Sequence, residues 1–531
     1  MTSAITRPIA AGKFERESGR VGKLAFLVVL VCGAAFVIWR PVSDLATTSP
    51  HSWLPYVGLA GALLIALGFE FVNGFHDTAN AVATVIYTHA LEPHVAVVWS
   101  GAWNFLGVLT SSGAVAFGII SLLPVELILQ VGSQAGFAMV FALLTAAILW
   151  NLGTWYLGLP SSSSHTLIGS IIGVGLANQM MSTQTGTNGV DWAQAANIGK
   201  SLLLSPLVGF SCAALLLLVM RALIPDRRLY EAPEGDKPPP PWIRGLLIVT
   251  CTGVSFAHGS NDGQKGMGLI MLILIGIVPS AYALNHAVST SETPSFVAAS
   301  QAVVTTLNRH LGPGTNIGNP RDEIAAYVRT RTYQPSTALA LRQIVNEIAI
   351  ETASYRGLAT VPAERVRNFR NDMYLVGESL RLMRKSNQPA LTDAEGKVID
   401  AYRKHIDSAT KFIPPWVKFA VALALGLGTM VGWKRIVVTV GEKIGKQHLT
   451  YAQGAAAELT AMATIGAADH FGLPVSTTHV LSSGVAGTMA ANRSGLQWNT
   501  VRNLLLAWGL TLPASIGLSA VLFWTFRSFA A

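Results

Sequence analysis

The sequence predicts an all-α integral membrane protein: an inverted-repeat secondary transporter with broken helices and two re-entrant-type hairpins. Three observations predict it. First, 51% of the residues are hydrophobic and only 12% charged, with a mean hydropathy of +0.45, whereas soluble chains carry about a quarter charged residues. Second, two polar motifs occur twice in the same order within apolar stretches. Asn73-Gly-Phe-His-Asp-Thr-Ala-Asn80 is echoed by His258-Gly-Ser-Asn-Asp-Gly-Gln-Lys265, so that Asp77 matches Asp262. Gly158-Leu-Pro-Ser-Ser-Ser-Ser-His165 is echoed by Gly472-Leu-Pro-Val-Ser-Thr-Thr-His479. Third, the two copies share one plan once a polar insert is removed. Asp77 lies 88 residues before His165 and Asp262 lies 217 before His479; the difference, 129, is nearly the length of the charge-rich stretch 285–412.

Taken in order, residues 1–45 form an arm and an extra helix. Arg7, Lys13, Arg16, Arg20 and Lys23 precede the apolar run Leu24 to Trp39, which Arg40-Pro41 ends. A small-residue cleavage site does not follow, so the run reads as an uncleaved helix rather than a signal peptide. Residues 46–222 are the first repeat, 223–244 a cytoplasmic linker, and 245–284 the motif helix of the second repeat. Residues 285–412 hold 28 of the chain's 65 Lys, Arg, Asp and Glu residues, which marks a water-soluble insert. Within it, Asp322 to Ile350 and Ala363 to Lys385 have helical apolar spacing. Residues 413–531 complete the second repeat.

Orientation follows from the basic loops, since short Lys/Arg-rich loops face the cytoplasm. The N-terminal arm qualifies, as do Arg221 to Arg244, Lys434 to Lys446, and Arg493 with Arg502. Segment 24–39 then exits, 53–88 enters, 95–120 exits, 136–157 enters, 160–178 returns and 197–220 enters. In the second half 245–283 exits, 414–433 enters, 448–468 exits, 471–491 returns and 502–526 exits. That makes eleven membrane segments, with the insert and the C-terminus periplasmic. The segments carrying Asp77 and Asp262 run antiparallel, as inverted repeats require.

The motifs carry the chemistry. Glycines beside Asp77 and Asp262 let the backbone leave the helix, freeing carbonyls and amides for a ligand. A carboxylate in an apolar helix is costly unless it binds something; a single copy fits a kinked helix equally well, but two matching copies favour a site. Lys265, three residues after Asp262, either neutralises it locally or stands as a fixed cation where the first repeat has Asn80. Pro160 and Pro474 suit the first turn of a restarting helix. The adjoining hydroxyls, Ser161 to Ser164 and Ser476 to Thr478, with free N–H groups, make a donor cradle for an oxyanion. Helix capping is the plainer role for such residues. His165 and His479 read as groups that orient a turn. Glu70 and Glu458 are lone intramembrane acids that either carry a coupling proton, with Asp77 and Asp262, or form buried hydrogen bonds. Cys32, Cys212 and Cys251 are scattered, so neither a disulfide framework nor metal-ligand spacing follows, and no cofactor is expected. The net charge of +9 sits in loops and the insert and does not imply nucleic acid.

At these residues the chain resembles the PiT family of inorganic phosphate transporters, and most closely the bacterial low-affinity branch. Residues 73–81 and 258–266 match that branch's two signatures, and 472–479 its Gly-Leu-Pro-Val-Ser-Thr-Thr-His. The resemblance covers nearly all the chain beyond the first ~45 residues. It implies a midplane site in which Asp77, Asn80, Asn261 and Asp262 bind ion and phosphate. Ser162, Ser163, Ser164, Ser476, Thr477 and Thr478 would cradle phosphate, and Glu458 matches an acidic position of the second half. Sodium-coupled members have a neutral residue at Lys265 and Asn at His76, so the resemblance implies proton coupling and a phosphate carried with a divalent metal. It also implies a multi-pass protein of the bacterial inner membrane; a homodimer stays open.

The alternatives are the same fold carrying another tetrahedral oxyanion such as sulfate or arsenate, or sodium-coupled phosphate symport. Sulfate cannot be protonated near neutral pH, and a site offering both acceptors and donors suits phosphate better. An intramembrane hydrolase built on Ser164 and His165 lacks a triad, because adjacent residues do not face each other on a helix. A channel suits the duplicated carboxylates less well than alternating access.

Overall fold

A computed structural model describes residues 20–45, 54–77, 79–123, 125–129, 133–181, 189–233, 235, 237–311 and 317–530. The described residues are overwhelmingly helical, in 21 α-helices. The first half runs α1 (Arg20–Leu45), α2 (Leu54–Asp77), α3 (Ala79–Tyr87), α4 (Pro93–Thr110), α5 (Ala114–Ile120), α6 (Val125–Leu129), α7 (Gln134–Tyr156), α8 (Ser163–Met181) and α9 (Trp192–Leu223). Then come α10 (Pro241–Ile277) and α11 (Pro279–Tyr282), followed by α12 (Thr293–Asn308), α13 (Pro320–Thr330), α14 (Pro335–Ser354), α15 (Ala363–Ser386) and α16 (Asp393–Thr410). The chain closes with α17 (Pro415–Thr429), α18 (Lys434–Val438), α19 (Tyr451–His470), α20 (Thr477–Ala491) and α21 (Trp498–Ala530).

Among the described residues five helical stretches are long and apolar enough to cross a membrane, or seven counting two sharply bent pairs, rather than all eleven expected segments. The difference has a physical reason. Helices α8, α10, α19 and α20 lie largely inside the protein, with Gly, Ala, Ser and Thr or, in α10, the charged signature, and need no lipid-facing apolar surface. Two further expectations are corrected. Segment 95–120 is not one helix: it bends by 75° between α4 and α5, where Gly113 adopts φ +87°. The second signature does not break its helix either, since α10 runs continuously through residues 258–266.

The glycines of the signatures serve close approach instead. A Cβ on Gly74 would lie 2.3 Å from the Leu425 carbonyl oxygen of α17, and one on Gly259 would lie 2.2 Å from the Asn104 carbonyl oxygen of α4. Each signature helix thus presses its backbone onto the second helix of the other half. The same exchange recurs throughout the packing. Helix α2 packs on α17 and α7, while α10 packs on α4 and α19; α8 packs on α21, while α20 packs on α9. Gly173 sits against the Ile516 carbonyl and Gly487 against the Phe210 carbonyl, so the hairpin helices also approach through small residues.

Helices α12 to α16 pack on one another around Leu341, Ile344, Phe369, Met373 and Tyr402. This bundle sits at the end of the membrane helices where α9 begins and α10 finishes. Arg331 reaches Asp191, the N-cap of α9, at 2.7 Å, and Arg367 donates to the Gly276 carbonyl at 3.4 Å. The basic stretch 221–244 therefore lies at the opposite end, where Arg244 donates to the Ala90 carbonyl at 2.8 Å. The α7–α8 hairpin opens towards the bundle, since α6 touches α13 and Gly175 abuts Gly189 beside Asp191. The α19–α20 hairpin opens towards the basic end, where Gln453 donates to the Thr488 carbonyl and to Ser494 Oγ, both at 3.3 Å.

The close approach yields a stability prediction. Gly259→Ala forces an overpacked contact and should cost about 1–3 kcal/mol. Gly153→Ala, which meets nothing within 4 Å in helix α7, should gain roughly 0.5–1 kcal/mol. Thermal melts of the two variants in detergent should diverge from wild type in opposite directions; identical melts would contradict the packing described.

Candidate functional site

Asp77 lies in α2 and Asp262 mid-way along the continuous α10. The two carboxylates converge, and both are buried. One ligand atom from each of Asp77, His258 and Asp262 lies within 4.8 Å of the others. Among the described residues this is the grouping that could hold a metal ion, and His258 was not among the residues expected from the sequence. The signal for it was present, because His258 precedes Asp262 by four residues and so shares its helical face.

Around Asp77, Oδ1 lies 2.8 Å from His76 Nδ1 and accepts a 2.8 Å hydrogen bond from Thr478 of the second hairpin tip. His76 Nε2 lies 3.1 Å from Thr154 Oγ1, which is 3.0 Å from Ser161 Oγ. Around Asp262, Oδ2 lies 2.6 Å from Lys265 Nζ, one helical turn on, and 3.6 Å from His258 Nε2. The Lys265 ammonium also donates to Ser164 Oγ at 2.5 Å, and Ser164 donates to the Val475 carbonyl at 2.7 Å. One lysine thus joins the signature helix to both hairpin tips. A fully buried ammonium is tolerable only with such partners.

The expected hydroxyls divide into two groups. Ser162 accepts from the His165 amide at 3.2 Å and Ser476 from the His479 amide at 3.1 Å, so these two cap their helices. Ser163 accepts from Asn151 at 3.3 Å. Ser164 and Thr478 face the charged groups, and Thr477 Oγ1 is buried with no hydrogen-bond partner among the described residues. Asn261 donates to the Leu473 carbonyl at 3.1 Å, tying α10 to the second tip. The side chain of Asn80 lies outside the described residues. His165 and His479 meet across the tips, with ring centroids 4.6 Å apart, and His479 stacks on Trp508 at 4.1 Å. Trp508 in turn donates to the Pro160 carbonyl at 3.0 Å.

The two isolated acids occupy different places. Glu70 packs against the backbone of Gly266, beside Lys265, and accepts from Asn73 at 3.3 Å. Glu458 instead accepts hydrogen bonds from Thr84 and Thr250, so it bridges α19 to α3 and α10 rather than facing the paired aspartates. Three further polar residues, Asn104, Thr154 and Thr429, escaped the sequence reading. Each stands singly in an apolar helix, and only the fold brings it beside a signature residue.

The buried pair sets up a thermodynamic test. Asp262→Asn leaves the Lys265 ammonium without its counter-charge and should cost about 3–5 kcal/mol. Adding Lys265→Met should recover most of that loss in a detergent melt. A double variant no more stable than the single one would show that the two residues do not act as a pair.

Residues 73–519 match the phosphate transporter family, PHO4. The chain is 42% identical over 488 residues to the low-affinity inorganic phosphate transporter PitA of Escherichia coli (strain K12), covering 87% of this chain and 95% of that one. It is 41% identical over 496 residues to PitB of the same organism, covering 88% and 97%. A low-affinity inorganic phosphate transporter of Buchnera aphidicola subsp. Acyrthosiphon pisum (strain APS) is 39% identical over 499 residues, covering 89% and 96%. A solved structure, the sodium-dependent phosphate transporter, aligns with 89% of this chain and 99% of its own at 19% identity and a TM-score of 0.47. The family and these relatives are transporters rather than enzymes, which removes the hydrolase reading of Ser164 and His165. On the extent and level of these matches, this chain belongs to the phosphate transporter family.

Proposed function

We propose that this chain imports inorganic phosphate across the bacterial inner membrane by proton symport, accepting it also as a neutral complex with a divalent metal. The single observation that carries the coupling is Lys265, whose ammonium bridges Asp262 at 2.6 Å and Ser164 at 2.5 Å. A fixed cation then occupies a position that a mobile sodium ion would otherwise fill. With both aspartates ionised, Asp77, Asp262 and Lys265 sum to one negative charge. A neutral cargo leaves that sum unchanged, which keeps the electrostatic cost of carrying it across a low-dielectric interior small.

In this reading the phosphate binds where the two hairpin tips meet the paired aspartates. Thr477 and Lys265 donate to its oxygens, Ser164 and Thr478 turn their hydroxyl protons from the Val475 carbonyl and Asp77 to it, and Asp77 and Asp262 accept from its protonated oxygens; Asn80 and Asn261 flank the site. Ser162, Ser163 and Ser476 shape the tips through their caps and side-chain bonds. Glu70 beside Lys265 is the better placed of the two lone acids to exchange a coupling proton with the site, and Glu458 acts at a distance. Support for an inverted repeat comes from the exchange of partners between the halves and from hairpins that open towards opposite ends. Alternating access then consists of one hairpin tip withdrawing while the other stays closed. The gathering of basic loops at the end opposite the α12–α16 bundle supports a periplasmic bundle.

Proteoliposome uptake with sodium and proton gradients imposed separately tests this. Phosphate uptake should follow an inward proton gradient and ignore sodium, with sulfate failing to compete. Asp77→Asn and Lys265→Asn should each lose most uptake at matched membrane abundance. Uptake that needs sodium and ignores the proton gradient would refute the role given to Lys265. For orientation, Ala363→Cys in the bundle should react with an impermeant thiol reagent on intact cells; reaction only after rupture would reverse the topology.

A further inference from the structure

We infer that the cavity where α1 ends against the elbow between α16 and α17 binds the phosphate headgroup of an anionic phospholipid, with Arg40 as its counter-charge. Helix α1 precedes residues 73–519, so the site reaches beyond the family match, and it is independent of what the protein transports.

Depth comes first. The uncharged run Leu24 to Trp39 lies between Lys23 and Arg40, 17 residues apart. In a helix that is about 26 Å, close to the thickness of the hydrocarbon core, so Arg40 stands at the membrane boundary. Leu24, Leu27, Val31, Ile38 and Trp39 are exposed, as a lipid-facing helix requires. Helix α1 packs on α17, where Phe36 meets Phe419 at 5.3 Å and a Cβ on Gly33 would overlap Leu423. The two helices therefore run antiparallel, and Arg40 arrives beside the start of α17, at the end that carries the α12–α16 bundle.

There the chain bends by 70° between α16 and α17. A cavity of about 730 Å³ lies in this elbow, with Arg40, Ser280, His286, Phe412 and Trp416 in its wall. No Asp or Glu lines it, and Arg40 makes no ion pair among the described residues; its guanidinium lies 5.8 Å from the centroid of the Trp39 ring. Trp416 is 5% exposed, and its indole N–H, which can only donate, has no acceptor among the described residues. A buried indole N–H usually has one. The wall thus offers one fixed cation, an unused N–H, an imidazole and a hydroxyl, with no carboxylate to repel an anion. That set matches a phosphodiester carrying one negative charge. The position of the cavity decides the source of the phosphate. Basic pockets beside membrane helices hold lipid headgroups, and the exposed flank of Ile38, Trp39 and Val42 gives acyl chains a surface to lie on.

The test is native mass spectrometry of the delipidated full-length protein in detergent, with dioleoylphosphatidylglycerol or dioleoylphosphatidylcholine added in turn. Wild type should retain phosphatidylglycerol more tightly than phosphatidylcholine. Arg40→Gln should weaken that retention about tenfold or more, as expected for losing hydrogen bonds to a charged group, and Arg40→Lys should restore part of it. Trp416→Phe keeps a ring but removes the N–H, and should weaken retention about 2–10-fold. Arg227→Gln, in the basic stretch at the opposite end, should leave it unchanged. Equal retention of the two lipids by wild type, or undiminished phosphatidylglycerol in Arg40→Gln, would overturn the inference. An equal loss in Arg227→Gln would do the same, by showing general charge attraction. Displacement of the lipid by millimolar inorganic phosphate would also overturn it, making the cavity a site for a soluble anion.

Discussion

The constraint on which the rest of the structure depends is the burial of the Lys265 ammonium. A charge with no access to water needs a counter-charge and hydrogen-bond acceptors close by, and losing one of them costs several kcal/mol. Asp262 supplies the counter-charge from one turn away on α10, and Ser164 supplies an acceptor from the first hairpin tip. Ser164 in turn donates to the backbone of the second tip at Val475, while Thr478 of that tip donates to Asp77. A single buried cation therefore fixes the relative positions of both tips and, through the paired aspartates, of both signature segments. The site is a consequence of keeping that charge satisfied.

Bringing these groups together requires helix backbones to approach more closely than ordinary side chains permit. The glycines of the signatures meet that need. Gly74 lets α2 reach α17, and Gly259 lets α10 reach α4. The same close contacts carry Asn104 to His258 and Thr429 to Asn104. Small residues on α8 and α20 allow each hairpin helix to lie in the long helix contributed by the other half, α21 and α9 respectively. Without a hydrophobic driving force between helices in lipid, packing of this kind and side-chain hydrogen bonds supply the association.

Much of this was legible in the sequence because the bilayer penalises polar groups so heavily. Asp77, Asp262 and the Ser/Thr clusters stood out as polar residues in apolar stretches, and their duplication gave them meaning. The insert stood out by charge density. What remained hidden has a common physical origin. Whether a glycine-rich signature breaks a helix depends on what packs against it, and α10 stays continuous through residues 258–266. The bend at Gly113 depends on one left-handed residue that the apolar pattern of 95–120 conceals. Asn104 and Thr429 are polar residues in apolar helices whose side-chain partners, His258 and Asn104 respectively, lie more than 150 residues away, beyond any local pattern. Ser162 and Ser476, expected in the cradle, turned inward as caps because the first turn of each restarted helix needs an acceptor for its own amides.

The central claim is that phosphate binds between the two hairpin tips at the paired aspartates. The most direct measurement is substrate protection of a cysteine placed there. Thr477→Cys, in a protein whose three native cysteines are replaced, puts a thiol where a buried hydroxyl has no partner among the described residues. The rate of its modification by a small thiol reagent is then followed against phosphate concentration. The account predicts that phosphate slows the reaction saturably while sulfate does not. A rate that phosphate leaves unchanged, in a protein that still transports it, would place the binding site elsewhere.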